Sequence, residues 1–290
     1  MKVAFLGTGL MGLPMATRLL ENNIDLIAYN RTPEKLKPLK FAGAQVTTEP
    51  REAILAADCI ILMLTNAAAI YSVLLSDMCW RTLSERTVIQ MGTITPTESK
   101  QIRDTVISAG GEYLEAPVLG SVREAETGEL IAMVGSQRQE FQRHLKLLKN
   151  FSSEPVHIGP VGTAAALKLA LNQLTASLTS AFALSLSFVK SYDVDVEVLM
   201  QILRASPLYA PIFDRKLSRM ENQNFGNPNF RTKHLLKDTD LFIDEAKNIG
   251  LNVSSVEGVR KIIEKAIKIS FANADYSSLF AAINSISEVQ

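Results

Sequence analysis

Metal-ligating side chains are few in this chain. It has two cysteines, Cys59 and Cys79, and three histidines, His144, His157 and His234, in 290 residues. One cysteine lies in an apolar run, the other near a helix end, and the histidines are scattered. None has metal-ligand spacing, which argues against metal chemistry. Net charge is missing as well, because 30 basic side chains are matched by 30 acidic ones. Without an excess of positive charge, neither nucleic acid nor an acidic membrane surface is an expected partner. No run reaches the ~18 uninterrupted apolar residues of a membrane span. Residues 167–189 come nearest, but Asn172, Gln173 and repeated Ser and Thr break them. Lys2 before a short apolar run imitates a secretory signal, yet glycines and Pro14 interrupt it too early. These absences leave a globular protein of the reducing cytoplasm. Its 47% hydrophobic and 21% charged residues are ample for a core, and its length suits about two domains.

What is present starts almost at once. Gly7-Thr8-Gly9-Leu10-Met11-Gly12 follows the apolar run Val3-Ala4-Phe5-Leu6 and opens into a helical stretch from Leu13 to Glu21. Strand, glycine turn and helix start come in the order a dinucleotide site requires. Gly7 permits the tight turn, Gly9 lets backbone approach a pyrophosphate, and Gly12 lets helix pack on strand. The helix start offers N–H groups and partial positive charge to the phosphates, with Leu10 and Met11 beside them. Glycine turns alone are common; the flanks on both sides favour the nucleotide.

A second stretch selects that nucleotide. Residues 25–29 read as a strand, and Asn30-Arg31-Thr32 follow. An NAD-specific site usually puts Asp or Glu here for the ribose 2′-OH. Asn30 takes the place, with Arg31 and Thr32 next to it. A carboxylate would repel a 2′-phosphate, whereas a guanidinium binds it through two charge-assisted hydrogen bonds. The expected cofactor is NADPH/NADP+, with NADH the lesser alternative. The competing account of Arg31 is a solvated loop side chain.

Strand and helix patterns alternate to about residue 160. Strands are expected at 44–47, 59–64, 87–91, 112–116, 130–134 and 156–158, and helices near 33–41, 51–56, 67–78, 96–108 and 137–148. The apolar runs are continuous, as in parallel strands buried on both faces. The first domain, 1–160, is therefore a doubly wound, NADP-binding α/β domain. The remainder, 161–290, has helical spacing throughout, at 161–191, 194–204, 212–220, 233–248, 254–269 and 276–287. It reads as an all-α substrate and oligomerisation domain joined on by a long helix of ~30 residues, about 45 Å. That helix is apolar around most of its girth and needs cover, so a homodimer or homotetramer is expected.

Ligands of doubly wound folds sit at the C-terminal edge of the sheet. Met63, Leu64, Thr93 and the Gly120-Ser121 pair fall there. The Thr93 hydroxyl can reach a nicotinamide ribose or a substrate, or it can cap a helix. Gly120-Ser121 offers N–H groups and a hydroxyl suited to a carboxylate, or it is an ordinary turn. Lys168 and Asn172 are four apart and share a helical face. Apart from a histidine, Lys168 is the only basic or acidic side chain between Glu154 and Lys190. Lysine is seldom buried alone, so it either meets an interdomain ligand or snorkels to the surface. Lys237-Asp238 is a second candidate pair; helix charges of this sort are otherwise solvated.

Taken together these segments resemble the β-hydroxyacid dehydrogenase family. The likeness spans essentially the whole chain: Gly7 to Ala16, Asn30-Arg31-Thr32, Glu115 to Gly120, Gly162 with Lys168 and Asn172, Phe230 with Lys237-Asp238, and the tail Ala274-Asp275-Tyr276-Ser277. It implies a Rossmann-type first domain and an oxidoreductase. By the same resemblance Lys168 is the acid that protonates the carbonyl oxygen in reduction, and Asn172 orients the lysine or that oxygen. Gly120, Ser121 and Thr93 would hold a substrate carboxylate, Lys237 would lie near the nicotinamide, and Asp238 would help order the site. Arg123 would pair with a distal carboxylate. The branch most similar is that of the glyoxylate/succinic semialdehyde reductases, which reduce short carboxylate-bearing aldehydes to hydroxy acids with NADPH. 3-Hydroxyisobutyrate or tartronate semialdehyde chemistry is the alternative. Two positions depart from the family pattern. Leu119 stands where the family has a substrate-binding serine, and Ala164 where it has a glycine. Leu119 also raises the reading of a lapsed, NADP-binding scaffold, against which the retained Lys168 and Asn172 speak. That lysine likewise counts against imine reduction.

Overall fold

The structure, a computed structural model, describes residues 1–285. The chain divides into two compact units, Met1–Lys168 and Leu169–Gln290. In the first, strands β1 (Val3–Leu6), β2 (Leu26–Tyr29), β3 (Gln45–Thr47), β4 (Cys59–Leu62), β5 (Thr87–Gln90) and β6 (Glu112–Glu115) form the parallel part of one sheet. Their order is β3-β2-β1-β4-β5-β6, so the strand order reverses at β1. Helices α1 (Gly12–Glu21), α2 (Lys37–Phe41), α3 (Pro50–Leu55), α4 (Ala67–Val73), α5 (Pro96–Ser108), α6 (Val122–Thr127) and α7 (Arg138–Leu148) cover it.

Two cores explain the unbroken apolar strands. Successive strand residues point to opposite faces. Val3 and Phe5 of β1 join Met15 and Leu19 of α1 and Phe141 of α7. Ala4 and Leu6 join Ile54 of α3, Ile70 of α4 and Ile102 of α5 on the other side. Phe5, Leu6, Ile60, Ile61 and Leu62 are fully buried. Each removes apolar surface worth about 1.5–3 kcal/mol from water. The doubly wound α/β reading is correct.

The far edge differs from it. β8 (Ile131–Gly135) runs antiparallel to β6 and to a two-residue strand, β7 (Val118–Leu119), that the sequence did not announce. The register moves from Glu115 opposite Gly135 to Leu119 opposite Ile131. β7 thus prolongs the direction of β6 past the C-terminal edge of the parallel strands. β9 (Val156–Gly159) adds parallel to β8 and ends the sheet.

Helix α8 (Thr163–Lys190) is the long helix expected. By length and composition alone it is apolar enough to cross a bilayer, but 44% of its most apolar window is buried inside the protein. Ala176 packs with Leu235, Ile263 and Leu279, while Phe182, Ala183 and Leu186 pack with Met200, Phe213 and Met220. Those partners come from α9 (Val196–Arg204), α10 (Pro211–Glu221), α11 (Thr232–Asn248), α12 (Ser254–Ala266) and α13 (Leu279–Asn284). The described part of the second unit is all-α, as expected.

Two helix ends fall earlier than their periodicity suggests. α4 stops at Val73 rather than running to 78, because Ser76 accepts the N–H groups of Cys79 and Trp80 in a turn. α12 stops at Ala266, and Ser270 adopts φ +77. The carbonyls of Ala272 and Ala274 accept the N–H groups of Lys233 and Thr232 at the start of α11, which draws this segment out of a helix. The last segment is a single turn, Tyr276–Ser278, capped by Asp275, followed by α13. Ile286 and Ser287, placed in that helix by the sequence, lie outside the described residues.

Candidate active site

The glycine loop leaves β1 under tight steric control. Gly7 has φ +107, and a Cβ there would lie 2.4 Å from the Met63 carbonyl oxygen. A Cβ on Gly12 would lie 1.9 Å from the Gly7 carbonyl oxygen, so the turn and the start of α1 pack backbone to backbone. A Cβ on Gly9 would meet nothing within 4 Å. Gly9 is therefore the open side of the loop, where another molecule can come close to the backbone. The N-cap of α1 is Met11, and no side chain caps the helix. Its first N–H groups and its positive dipole end suit a phosphate.

Asn30 is tied into this loop. Its amide donates to Thr8 Oγ1 at 2.9 Å, and its Oδ1 accepts the Thr32 N–H at 2.9 Å. Asn30 thus fixes the loop, and Thr32 contributes backbone to that bond. Arg31 is exposed, as is Lys35 in the following turn, a second cation that the sequence reading passed over. The residue that follows β2 is Asn30 rather than an acid. These residues fit a nicotinamide dinucleotide.

Met63 and Leu64 follow β4 and are half-buried at the same edge. Thr93 follows β5 and is also half-buried. The helix cap here is Thr95, which makes a reciprocal capping box with Glu98, so capping is not what occupies Thr93.

Glu115, at the end of β6, is the residue whose role sequence reasoning missed. It is only 1% exposed. Its Oε1 accepts the backbone N–H groups of Gly162, Ala164 and Ala165 at 2.7, 2.9 and 3.2 Å, and its Oε2 accepts the Ser99 hydroxyl. A Cβ on Gly135 would fall 2.4 Å from Oε1, so the facing strand leaves room for this carboxylate. Burial pushes the carboxyl pKa up, while Ser99 and the three N–H groups pull it back. The start of α8 is thereby fastened to the sheet edge, and Lys168 sits in the second turn of that helix. Ala164, where the family resemblance expects glycine, is one of the fastened residues and is itself fully buried. The available signal was one acidic residue in the otherwise apolar run Tyr113-Leu114-Glu115-Ala116-Pro117-Val118.

Leu119, the last residue of β7, is half-buried, and beyond it Gly120 and Arg123 are exposed. The Ser121 N–H donates to Glu124 Oε2 at 2.7 Å, and the Ser121 hydroxyl donates to the same oxygen. The pair of donors expected for a substrate carboxylate therefore already holds a carboxylate from the chain. The Ser-x-x-Glu spacing 121–124 is a capping-box signature readable in the sequence.

In the second unit Asn172, Asp238 and Lys237 come together. The Asn172 amide donates to Asp238 Oδ2 at 2.6 Å, and Lys237 Nζ lies 2.7 Å from Asp238 Oδ1. Asn172 and Asp238 are buried. An ionised carboxylate only accepts, so the Asn172 NH₂ must face Asp238, which turns its Oδ1 the other way. Lys168 precedes Asn172 by one helical turn on the same face of α8.

A family model described as the NAD binding domain of 6-phosphogluconate dehydrogenase matches residues 2–159. One described as NAD-binding of NADP-dependent 3-hydroxyisobutyrate dehydrogenase matches residues 162–283. The chain belongs to the β-hydroxyacid dehydrogenase family. Glyoxylate/succinic semialdehyde reductase 1 of Arabidopsis thaliana is 27% identical over 289 residues, covering 98% of each chain. The mitochondrial 3-hydroxyisobutyrate dehydrogenase of Mus musculus is 30% identical over 96% of this chain and 85% of its own. In structure, 3-hydroxyisobutyrate dehydrogenase of Mycobacterium tuberculosis with L-serine matches with a TM-score of 0.89 at 22% identity, covering 98% of this chain and 99% of that one. As a β-hydroxyacid dehydrogenase this protein is an NAD(P)-dependent oxidoreductase.

The Glu115 fastening is testable by stability. Glu115→Ala leaves three buried N–H groups without their acceptor, at about 1–3 kcal/mol each. We expect a loss of at least about 3 kcal/mol in urea unfolding, and a smaller one for Glu115→Gln, whose amide oxygen still accepts. A loss below about 1 kcal/mol for the alanine variant would show that the start of α8 is held by something else.

Proposed function

We propose that the protein is an NADPH-dependent reductase of short carboxylate-bearing aldehydes, of the glyoxylate or succinic semialdehyde kind, with Lys168 as general acid. The observation that carries this reading is the buried Glu115 anchor, which sets Lys168 in the second turn of a helix that starts at the ligand-binding edge of the sheet. The bound nicotinamide would supply a hydride to the carbonyl carbon. The Lys168 ammonium would donate a proton to the carbonyl oxygen as charge develops there, and water would restore it. Thr93, Gly120 and Ser121 would orient the substrate carboxylate, with Arg123 available to a distal one. Asn172, its amide set by Asp238, would turn Oδ1 toward the ammonium or a substrate hydroxyl. Lys237 would stand near the nicotinamide.

Preference for NADPH over NADH rests on Arg31, exposed at the end of β2 where an NAD enzyme usually has an acid. Gly7, Gly9, Leu10, Met11 and Gly12 would cradle the pyrophosphate, with Asn30 and Thr32 shaping the ribose side. Met63 and Leu64 would flank the nucleotide at the end of β4. A 3-hydroxyisobutyrate or tartronate semialdehyde substrate would use the same groups. Free, buried Cys59 and Cys79 suit a reducing compartment such as the cytoplasm.

The exposed face of α8 supports self-association. Leu174, Leu178, Ala181, Ser185 and Phe188, continued by Tyr192, recur at alternating spacings of four and three and are all exposed. Leu174, Phe188 and Tyr192 are 51%, 62% and 69% exposed. A second copy presenting the same stripe would cover them by knobs-into-holes packing, giving a homodimer or homotetramer.

Three measurements test these statements. Lys168→Ala should lower kcat about 10²–10⁴-fold on a panel of glyoxylate and succinic, tartronate and methylmalonate semialdehydes, with NADPH binding intact; unchanged turnover refutes the acid. Arg31→Ala should raise the KM for NADPH about tenfold or more and leave that for NADH alone. A wild-type preference for NADH would sink that argument. Phe188→Glu should reduce the mass seen by light scattering, whereas a wild-type protein already monomeric removes the oligomer.

A further inference from the structure

Two buried polar side chains stand side by side at the C-terminal ends of the parallel strands. Gln90 ends β5, in register with Glu115 of β6 on one side and Leu62 of β4 on the other. Residues paired in this way share a face of the sheet, here the one where Leu6 and Leu62 meet Ile54, Ile70 and Ile102. On that apolar face Gln90 is 1% exposed. A buried amide is costly unless its polar atoms are bonded. Gln90 turns both ends of its amide onto one residue: Oε1 accepts the Gly92 N–H and Nε2 donates to the Gly92 carbonyl, each at 2.9 Å. Gly92 is buried and is held from a second side, since a Cβ there would lie 2.6 Å from the Leu64 carbonyl oxygen. It is thus gripped between the Gln90 side chain and the backbone that follows β4. Thr93 comes next, half-buried, and Thr95 rather than Thr93 caps α5.

We propose that Gln90 is a positioning residue for substrate binding: by fixing Gly92 it holds the Thr93 hydroxyl where the substrate carboxylate docks. The proposal deepens the reductase reading, on which it rests for the place of that carboxylate. Gln90 touches no ligand and acts through Thr93. A hydrogen bond to a carboxylate is short and directional, so a small shift of the turn would lose it. Glu115 and Gln90, neighbours on adjacent strands, then divide the task. The first ties down the helix that carries Lys168, and the second the turn that carries Thr93. A role in packing alone predicts something else, a general loss felt by every substrate and independent of the Thr93 hydroxyl.

The experiment is a double-mutant cycle of Gln90→Leu and Thr93→Val, the latter keeping the shape of threonine without its hydroxyl. Glycolate is titrated by calorimetry into the NADP+-loaded enzyme for the wild type, each single variant and the pair. We expect each single variant to bind glycolate about tenfold more weakly and the double variant to lose no more than that. Independent effects would multiply to about a hundredfold. In turnover, the KM for glyoxylate should rise in step at nearly constant kcat. The KM for glycolaldehyde, its neutral analogue, should stay within about twofold. Should Gln90→Leu fail to fold, Gln90→Asn, whose amide is one methylene too short for both bonds, takes its place in the cycle. Multiplying losses, a silent Gln90 variant, a silent Thr93→Val or an equal rise in the KM for glycolaldehyde each overturn the proposal. So does a wild type without glycolate affinity, while glyoxylate turnover decides the reductase reading separately. Coupled losses of glycolate affinity with no turnover of any carboxylate aldehyde would support Gln90 and refute that reading instead.

Discussion

The first unit depends on one buried carboxylate. Glu115 brings a negative charge to the end of a central strand, where it is 1% exposed, a placement that is costly unless every lone pair is used. Three N–H groups at the start of α8, from Gly162, Ala164 and Ala165, and the Ser99 hydroxyl use them. The charge also faces the positive end of the longest helix in the described chain, where an anion is favoured. Sheet edge and helix start are joined by polar bonds of fixed length. A packed apolar contact at the same place would tolerate sliding. If Lys168 acts as proposed, its ammonium would gain from the stiffer joint, because a general acid must stay within reach of the reacting oxygen.

The helix starts of this unit divide by what satisfies them. α5 and α6 are closed by capping boxes, through Glu98 and Glu124, and α7 by the Gln137–Glu140 pair. α8 is closed by Glu115 from a distant strand. α1 has no side-chain cap, and it is the helix that follows the glycine loop, with Gly9 open beside it. A start without a side-chain cap beside an open glycine is what a phosphate needs.

Much of this was legible in the sequence, for identifiable reasons. Parallel strands buried on both faces produce unbroken apolar runs, so β1, β2, β4 and β5 stood out, and the glycine loop was fixed by its flanks. The segments misjudged are those where a distant partner overrides local pattern. α12 ends early because Ala272 and Ala274 supply carbonyls to α11. β7 is a strand only because β8 returns antiparallel beside it. In the candidate site, Lys168 and Asn172 were singled out by their spacing on one helix, and α8 does carry both. The Asn172–Asp238 bond was not foreseen, since it joins residues 66 positions apart. Glu115 was visible only as one letter of a motif, because its partners are backbone N–H groups, which sequence does not distinguish.

Glu115 and Glu124 flank the same short stretch of chain and both bind backbone N–H groups, yet they differ in kind. Glu115 has four donors drawn from two other elements, and burial leaves it no alternative conformation in water. Glu124 accepts the N–H and the hydroxyl of Ser121, three positions away, and is half-buried. Removing the first would leave unpaired three buried N–H groups that lie 47 to 50 residues further along the chain. Two carboxylates nine residues apart thus do different work: one ties a distant helix to the sheet, and the other starts its own short helix.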